Sequence, residues 1–181
     1  GLATKPEAIE KDIDVLFYGD VNSERRKKYI SALQNKFNIV VIGNSFGAEL
    51  QGAVSRAKVV VNIHYYEGAL LESTRVFECL SLGARVVSES AVDVDDYQHM
   101  NEAVTFVPVG DIDAMVDAVA KILASSEATA ATCQAYLQAS QERFQFMLYR
   151  MLLAQRLISY SQFEQCAVSP GGEAYALSLP E

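Results

Sequence analysis

Five short apolar runs punctuate residues 1–125: Val15 to Gly19, Asn38 to Gly43, Lys58 to His64, Arg85 to Glu89 and Val104 to Pro108. Between them, apolar residues recur at helical spacing over Ser23 to Phe37, Phe46 to Ala57, about Leu71 to Leu82, and Ile112 to Leu123. Runs this continuous and β-branched suit strands covered on both faces, and strand–helix alternation implies right-handed crossovers between parallel neighbours. The pattern predicts an α/β fold, a doubly wound, Rossmann-like parallel sheet. Ser23 and Asp111 stand where N-caps belong, and Gly83 where a C-cap belongs.

After about Ser125 the strands stop, and Tyr136, Leu137, Phe144, Met147, Leu148, Met151 and Leu152 recur at helical spacing. A stripe of this kind is a packed seam far more often than a cofactor box. The expected organisation is a sheet domain over 1–125, a helical tail over 126–168 packed on it, and a loose segment over 169–181 that opens with Ser169-Pro170-Gly171-Gly172.

Composition narrows the class. Of 181 residues, 50% are hydrophobic and 21% charged, which excludes disordered, collagen-like and mini-protein chains. A net charge of -8 lacks the basic footprint of nucleic-acid binding but leaves a local anion pocket open. Cys79, Cys133 and Cys166 are widely spaced, so neither a disulfide framework nor a zinc site is indicated and a reducing, cytoplasmic location is expected. No apolar run approaches the ~18 residues of a transmembrane segment. Gly1 in place of methionine is expected to be either an added residue or a cut edge, the latter making this a piece of a longer protein.

In a doubly wound sheet, ligands collect beyond the carboxyl ends of the strands. The residues there are Gly19-Asp20-Val21-Asn22-Ser23, Gly43-Asn44-Ser45-Phe46-Gly47 and Ile63-His64-Tyr65-Tyr66-Glu67-Gly68. The first of these is not G-x-G-x-x-G, which argues against a nicotinamide enzyme. The third strand ends in Asn62 and His64 without the Asp of a phosphorylated receiver. Gly68-Ala69-Leu70-Leu71 leads into a helix whose free amides and dipole favour a phosphate, although an ordinary βα loop looks the same.

Several side chains have two readings. Glu72, Arg75 and Glu78 lie three apart, as a surface ion-pair ladder would, yet Glu78 is not a core position and could accept hydrogen bonds from sugar hydroxyls. Arg25-Arg26-Lys27-Lys28 is either a solvated helix start or a source of one phosphate-binding arginine; positive charge in a first turn opposes the helix dipole. His64 faces the same edge and either holds structure or donates to a phosphate or sugar oxygen. Ser88-Glu89-Ser90 ends a strand there and could line the pocket. His99 has no second histidine at ligand spacing, so no metal site is expected.

The stretch from Asn62 to Glu89, with Arg75-Val76-Phe77-Glu78 inside it, resembles the donor-binding core of group 1 glycosyltransferases with the GT-B fold, in the branch whose motif reads Arg-x-Phe-Glu. The similarity runs from about Asp14 to about Met151. It implies the C-terminal half of a two-domain enzyme, with an acceptor-binding N-terminal half outside this sequence. It implies a nucleotide-diphosphate sugar as substrate and no cofactor. Glu78 then holds the donor ribose, Gly68, Ala69, Leu70 and Leu71 receive the diphosphate, and Gly83 closes the helix. Gly19, Arg25, Gly43, Asn44, His64, Glu67 and Arg75 complete the expected donor site.

Two departures stand out. The family's first glutamate lies eight positions before the second, where this chain has Leu70, and neither Glu67 nor Glu72 fits that spacing. The diphosphate-binding cations that relatives place after the first strand have only Arg25 and Arg26 as counterparts. No residue is an evident general base, and the isolated chain is expected to be inactive. The alternative is a non-catalytic nucleotide-binding or protein-interaction domain of the same fold.

Overall fold

Five strands, β1 (Ile13–Tyr18), β2 (Ile39–Ile42), β3 (Ala57–Asn62), β4 (Arg85–Glu89) and β5 (Val104–Val107), pair in parallel in the order β2-β1-β3-β4-β5. The computed structural model describes residues 10–100, 103–125 and 148–167. Helices α1 (Glu24–Gln34), α2 (Gly47–Arg56), α3 (Ser73–Ser81) and α4 (Ile112–Ala124) flank the sheet. α1 and α4 touch each other and share one face, whereas α2 and α3 pack from the other side. The chain steps from β1 outward to β2 and then back past β1 to β3. This reversal opens a crevice at the carboxyl ends of β1 and β3.

The core explains the apolar runs. On the α1 and α4 side, Val15, Phe17, Val59, Val61, Ile63 and Val87 meet Tyr29, Leu33, Met115 and Val119, all essentially buried. On the other side Leu16, Val60 and Val86 are buried, as are Leu50, Val54, Val76 and Leu80 of α2 and α3. The caps follow the sequence. Ser23 Oγ accepts from the Arg26 amide at 3.4 Å, and Asp111 from the Ala114 amide. Gly83, at φ +76°, ends α3 in a Schellman turn, with Ala84 N–H donating to the Cys79 carbonyl and Gly83 N–H to that of Leu80.

Two local features differ from the sequence pattern. A 3-10 helix, Val94–Met100, occupies the connection from β4 to β5, where the sequence shows no helical spacing. α3 also begins at Ser73 rather than about Leu71. Glu72 takes a non-helical backbone conformation, and the Leu71 amide donates to Asp93 Oδ1 at 2.9 Å, so the loop is tied down before the helix starts.

The chain divides into two units, Gly1–Gln134 and Ala135–Glu181. In the second, a helical stretch over 148–154 ends at Arg156, whose φ is +57°. α5 (Tyr160–Ala167) follows, its start closed by a capping box in which Ser159 and Gln162 bond reciprocally. Leu148 and Met151 are exposed and Leu152 half-buried. Tyr136, Leu137, Phe144 and Met147 of the expected seam, and the segment 169–181, lie outside the described residues.

Candidate functional site

The edge at β1 and β3 carries a concentration of buried charge, and it begins with a glycine. Gly19 follows β1 at φ +132°, a conformation that L side chains rarely adopt. A Cβ there would lie 3.5 Å from both Arg26 Nη1 and Arg75 Nη2. Two guanidinium groups from opposite layers, α1 and α3, therefore converge over a position with no side chain.

Arg26 is only 4% exposed. Its Nε donates to the Ile63 carbonyl at 2.9 Å and its Nη1 to that of Asp20 at 3.0 Å. The guanidinium lies over the rings of Phe17 and Tyr65, 5.5 and 5.2 Å from their centroids. Burial, then the neighbouring Arg75, press its pKa below the ordinary arginine value. Arg75 lies over the Tyr18 ring at 4.9 Å and donates from Nη1 to Asn62 Oδ1 at 3.0 Å. Among the described residues, no carboxylate forms an ion pair with either arginine.

Arg25, expected at the donor, is directed elsewhere. Its guanidinium grips Glu89, a carboxylate with no exposed surface at the end of β4, and Nη1 also donates to the His64 carbonyl at 3.0 Å. Glu89 also accepts from Tyr29 Oη at 2.6 Å and from the amides of His64 and Gly110 at 2.9 and 3.0 Å. Burial would raise the Glu89 pKa, but these donors outweigh it and hold the carboxyl below its usual range. By sequence, Ser88-Glu89-Ser90 is expected only to line the pocket. The signal that Glu89 needs an arginine is a charged residue ending a buried strand.

His64 is fully buried and also engaged. Its Nδ1 meets Glu72 Oε2 at 2.9 Å and its Nε2 the Ser90 carbonyl at 3.1 Å. Both partners only accept, so the ring satisfies both by carrying two protons. Burial favours the neutral ring, yet Glu72 outweighs it and the His64 pKa is raised. Burial opposes ionisation of Glu72 as well, but His64 and Asn62 bring its pKa to about 2. The ion pair joins the end of β3 to the start of α3.

The remaining expected residues are distributed along the same edge. Gly43 and Asn44 lie exposed after β2, which joins β1 through Gly19 N–H donating to the Ile42 carbonyl at 2.9 Å. Glu67 and Gly68 are exposed after β3. Ala69 is buried, with its carbonyl accepting from Val92 N–H. Leu70 is 64% exposed. The Leu71 amide, expected to face a phosphate, is occupied by Asp93, whereas no described residue accepts from the amides of Gly68, Ala69 or Leu70. Glu78 is half-buried near Tyr18 and Cys79, and its carboxylate has no hydrogen-bond partner among the described residues. Burial pushes the Cys79 thiol up to about 11, which makes it inert.

Among the described residues, no group of three or more His, Cys, Asp or Glu could hold a metal ion, and no helix is long and apolar enough to cross a membrane. The class so defined is a Rossmann-like α/β protein with two arginines at its switch point that have no ion-pair partner among the described residues. Residues 6–155 match the family described as glycosyl transferase-like, and the chain belongs to that family. No curated protein matches the sequence. The fold is similar to the crystal structure of AviGT4, a glycosyltransferase involved in avilamycin A biosynthesis, with a TM-score of 0.51 at 15% identity. That match covers 82% of this chain and 53% of the other, so this chain spans about half the length of its structural neighbour.

Proposed function

We propose that this chain is the donor-binding half of a glycosyltransferase: it holds a nucleotide-diphosphate sugar with its diphosphate over Gly19, between Arg26 and Arg75. One observation carries this reading. A guanidinium 4% exposed, bonded to main-chain carbonyls and confronted by a second arginine, has no ion-pair partner among the described residues, and Asp20 and Glu72 act on it only at longer range. Burying a charge without a directly paired counter-ion is costly, and here burial and the neighbouring Arg75 outweigh the distant carboxylates. A dianion bridging the two groups removes that penalty and finds fork-shaped donors suited to phosphate oxygens.

The chemistry follows from charge. As the glycosidic bond breaks, negative charge grows on the departing diphosphate, so two fixed cations stabilise the transition state more than the ground state. The amides of Gly68, Ala69 and Leu70 supply further donors, and the unpartnered Glu78 carboxylate accepts from the ribose hydroxyls. Arg25 serves this site by anchoring α1 through Glu89. The acceptor binds in an N-terminal half of a GT-B enzyme in the cytoplasm, of the branch with Arg-x-Phe-Glu.

Titration calorimetry with UDP and GDP tests the reading. One of them binds, and Arg26→Met and Arg75→Met each weaken it by about tenfold or more, the ~1.5–3 kcal/mol of a hydrogen bond to a charged group. Glu78→Ala weakens nucleotides but not pyrophosphate. An absence of binding to any nucleoside diphosphate would falsify the assignment. Leu70, in place of the family's first glutamate, favours a second reading, a domain that binds the donor without transferring it. Transfer or donor hydrolysis by a longer chain that carries the N-terminal half excludes that reading.

A further inference from the structure

Arg75, half-buried, is oriented by a neutral group. Its Nη1 meets a neutral amide oxygen, Asn62 Oδ1, at 3.0 Å, and Asn62 is 1% exposed. The orientation of that amide is not free. Asn62 Nδ2 donates to Glu72 Oε2 at 2.9 Å and to Ser88 Oγ at 3.0 Å, while the Ser88 hydroxyl donates to the Glu89 carbonyl at 2.8 Å. A carboxylate and a hydroxyl oxygen whose proton is committed elsewhere can only accept, so Oδ1 has to face the arginine. Glu72 is in turn held by His64, and His64 by the Ser90 carbonyl.

We infer that Asn62 is a positioning residue, the last member of a buried relay from the Ser90 carbonyl through His64 and Glu72, that aims Arg75 at Gly19 without cancelling its charge. This inference rests on the donor reading above. An aspartate at this position would place Arg75 just as well, but would neutralise it and repel Glu72. The carboxylate of the relay is instead kept one residue back, where His64 balances it. Loss of the His64 proton leaves Glu72 unbalanced behind the two arginines, and the grip on a diphosphate weakens. The other charges facing His64 are Glu89, which accepts from its amide, and Arg25, which donates to its carbonyl.

The decisive variant is the double exchange Asn62→Asp with Glu72→Gln. It conserves formal net charge and exchanges donor and acceptor between the two side chains, and it sets a carboxylate against Arg75. UDP and GDP affinities are measured by calorimetry for this variant, for Glu72→Gln and for the parent, between pH 6 and 9, with circular dichroism to verify folding. The double variant is expected to bind at least tenfold more weakly. The parent's affinity relative to Glu72→Gln falls as pH rises, a comparison in which the ligand's own titration is common to both. Parent binding with the double variant within twofold, or parallel pH profiles, overturns the relay and leaves the donor site standing. Failure of the parent to bind either nucleotide defeats the donor reading and this inference with it. If the double variant does not fold, the comparison with Glu72→Gln decides alone.

Discussion

Arg25 and Arg26 are adjacent in the first turn of α1 and have opposite roles. Arg25 reaches Glu89 in a knot where one buried carboxylate gathers the guanidinium, a tyrosine hydroxyl and two amides from three parts of the sheet edge. Arg26 is the more enclosed of the two, yet among the described residues its hydrogen bonds go to carbonyls and it lies over aromatic rings. One site is closed electrostatically and the other is open. Burial does not separate a structural arginine from a ligand-binding one; what the guanidinium faces does.

The largest expected effect breaks the closed side. Arg25→Met leaves Glu89 buried without its cation and should cost about 3–5 kcal/mol in urea unfolding, while nucleotide affinity of the folded protein falls less than in Arg26→Met. Arg26→Met should show the reverse pattern, with a smaller loss of stability and the loss of affinity given above. If the two variants exchanged these signatures, the division of labour would be wrong.

A smaller effect is expected at Gly19. Alanine there takes a left-handed backbone conformation, at about 1–3 kcal/mol, and its methyl enters the space between the guanidiniums, so stability and diphosphate affinity should fall together. A change in stability alone would place the anion elsewhere.

The smallest effect sharpens the comparison through pH. The folded His64 pKa is raised above its unfolded value of 6.5, so its contribution is fully present below pH 6.5 and fades as pH rises through the folded value. The Glu72 pKa is lowered from 4.5 to about 2, so its contribution is present above pH 4.5 and is lost as pH falls through about 2. Stability from the pair is therefore complete between about pH 4.5 and 6.5. His64→Gln should flatten the decline on the alkaline side in urea titrations, whereas Arg25→Met should leave it in place.

Much of the fold is legible in the sequence because it depends on local rules. Continuous β-branched runs require cover on both faces, and Ser23, Asp111 and Gly83 cap helices through bonds spanning only a few residues. The carboxyl edge is legible as well, since it follows from the order of elements. The 3-10 helix after β4 is not, because Val94–Met100 has no helical apolar period to announce it. The delayed start of α3 depends on Asp93, which is distant in sequence from the amide it accepts from.

Within the edge, the chain by itself determines which chemistry is present: two arginines after β1, a histidine and asparagine at β3, a glutamate at the end of β4 and another before α3. Only the folded protein decides the pairing. Whether Arg25 or Arg26 meets Glu89 depends on helix phase relative to strands far apart in sequence, and a rotation of 100° per residue turns the two side chains toward different neighbours. Hydrophobic periodicity is a property of neighbours along the chain, whereas the neutralisation of a charge is a property of neighbours in space.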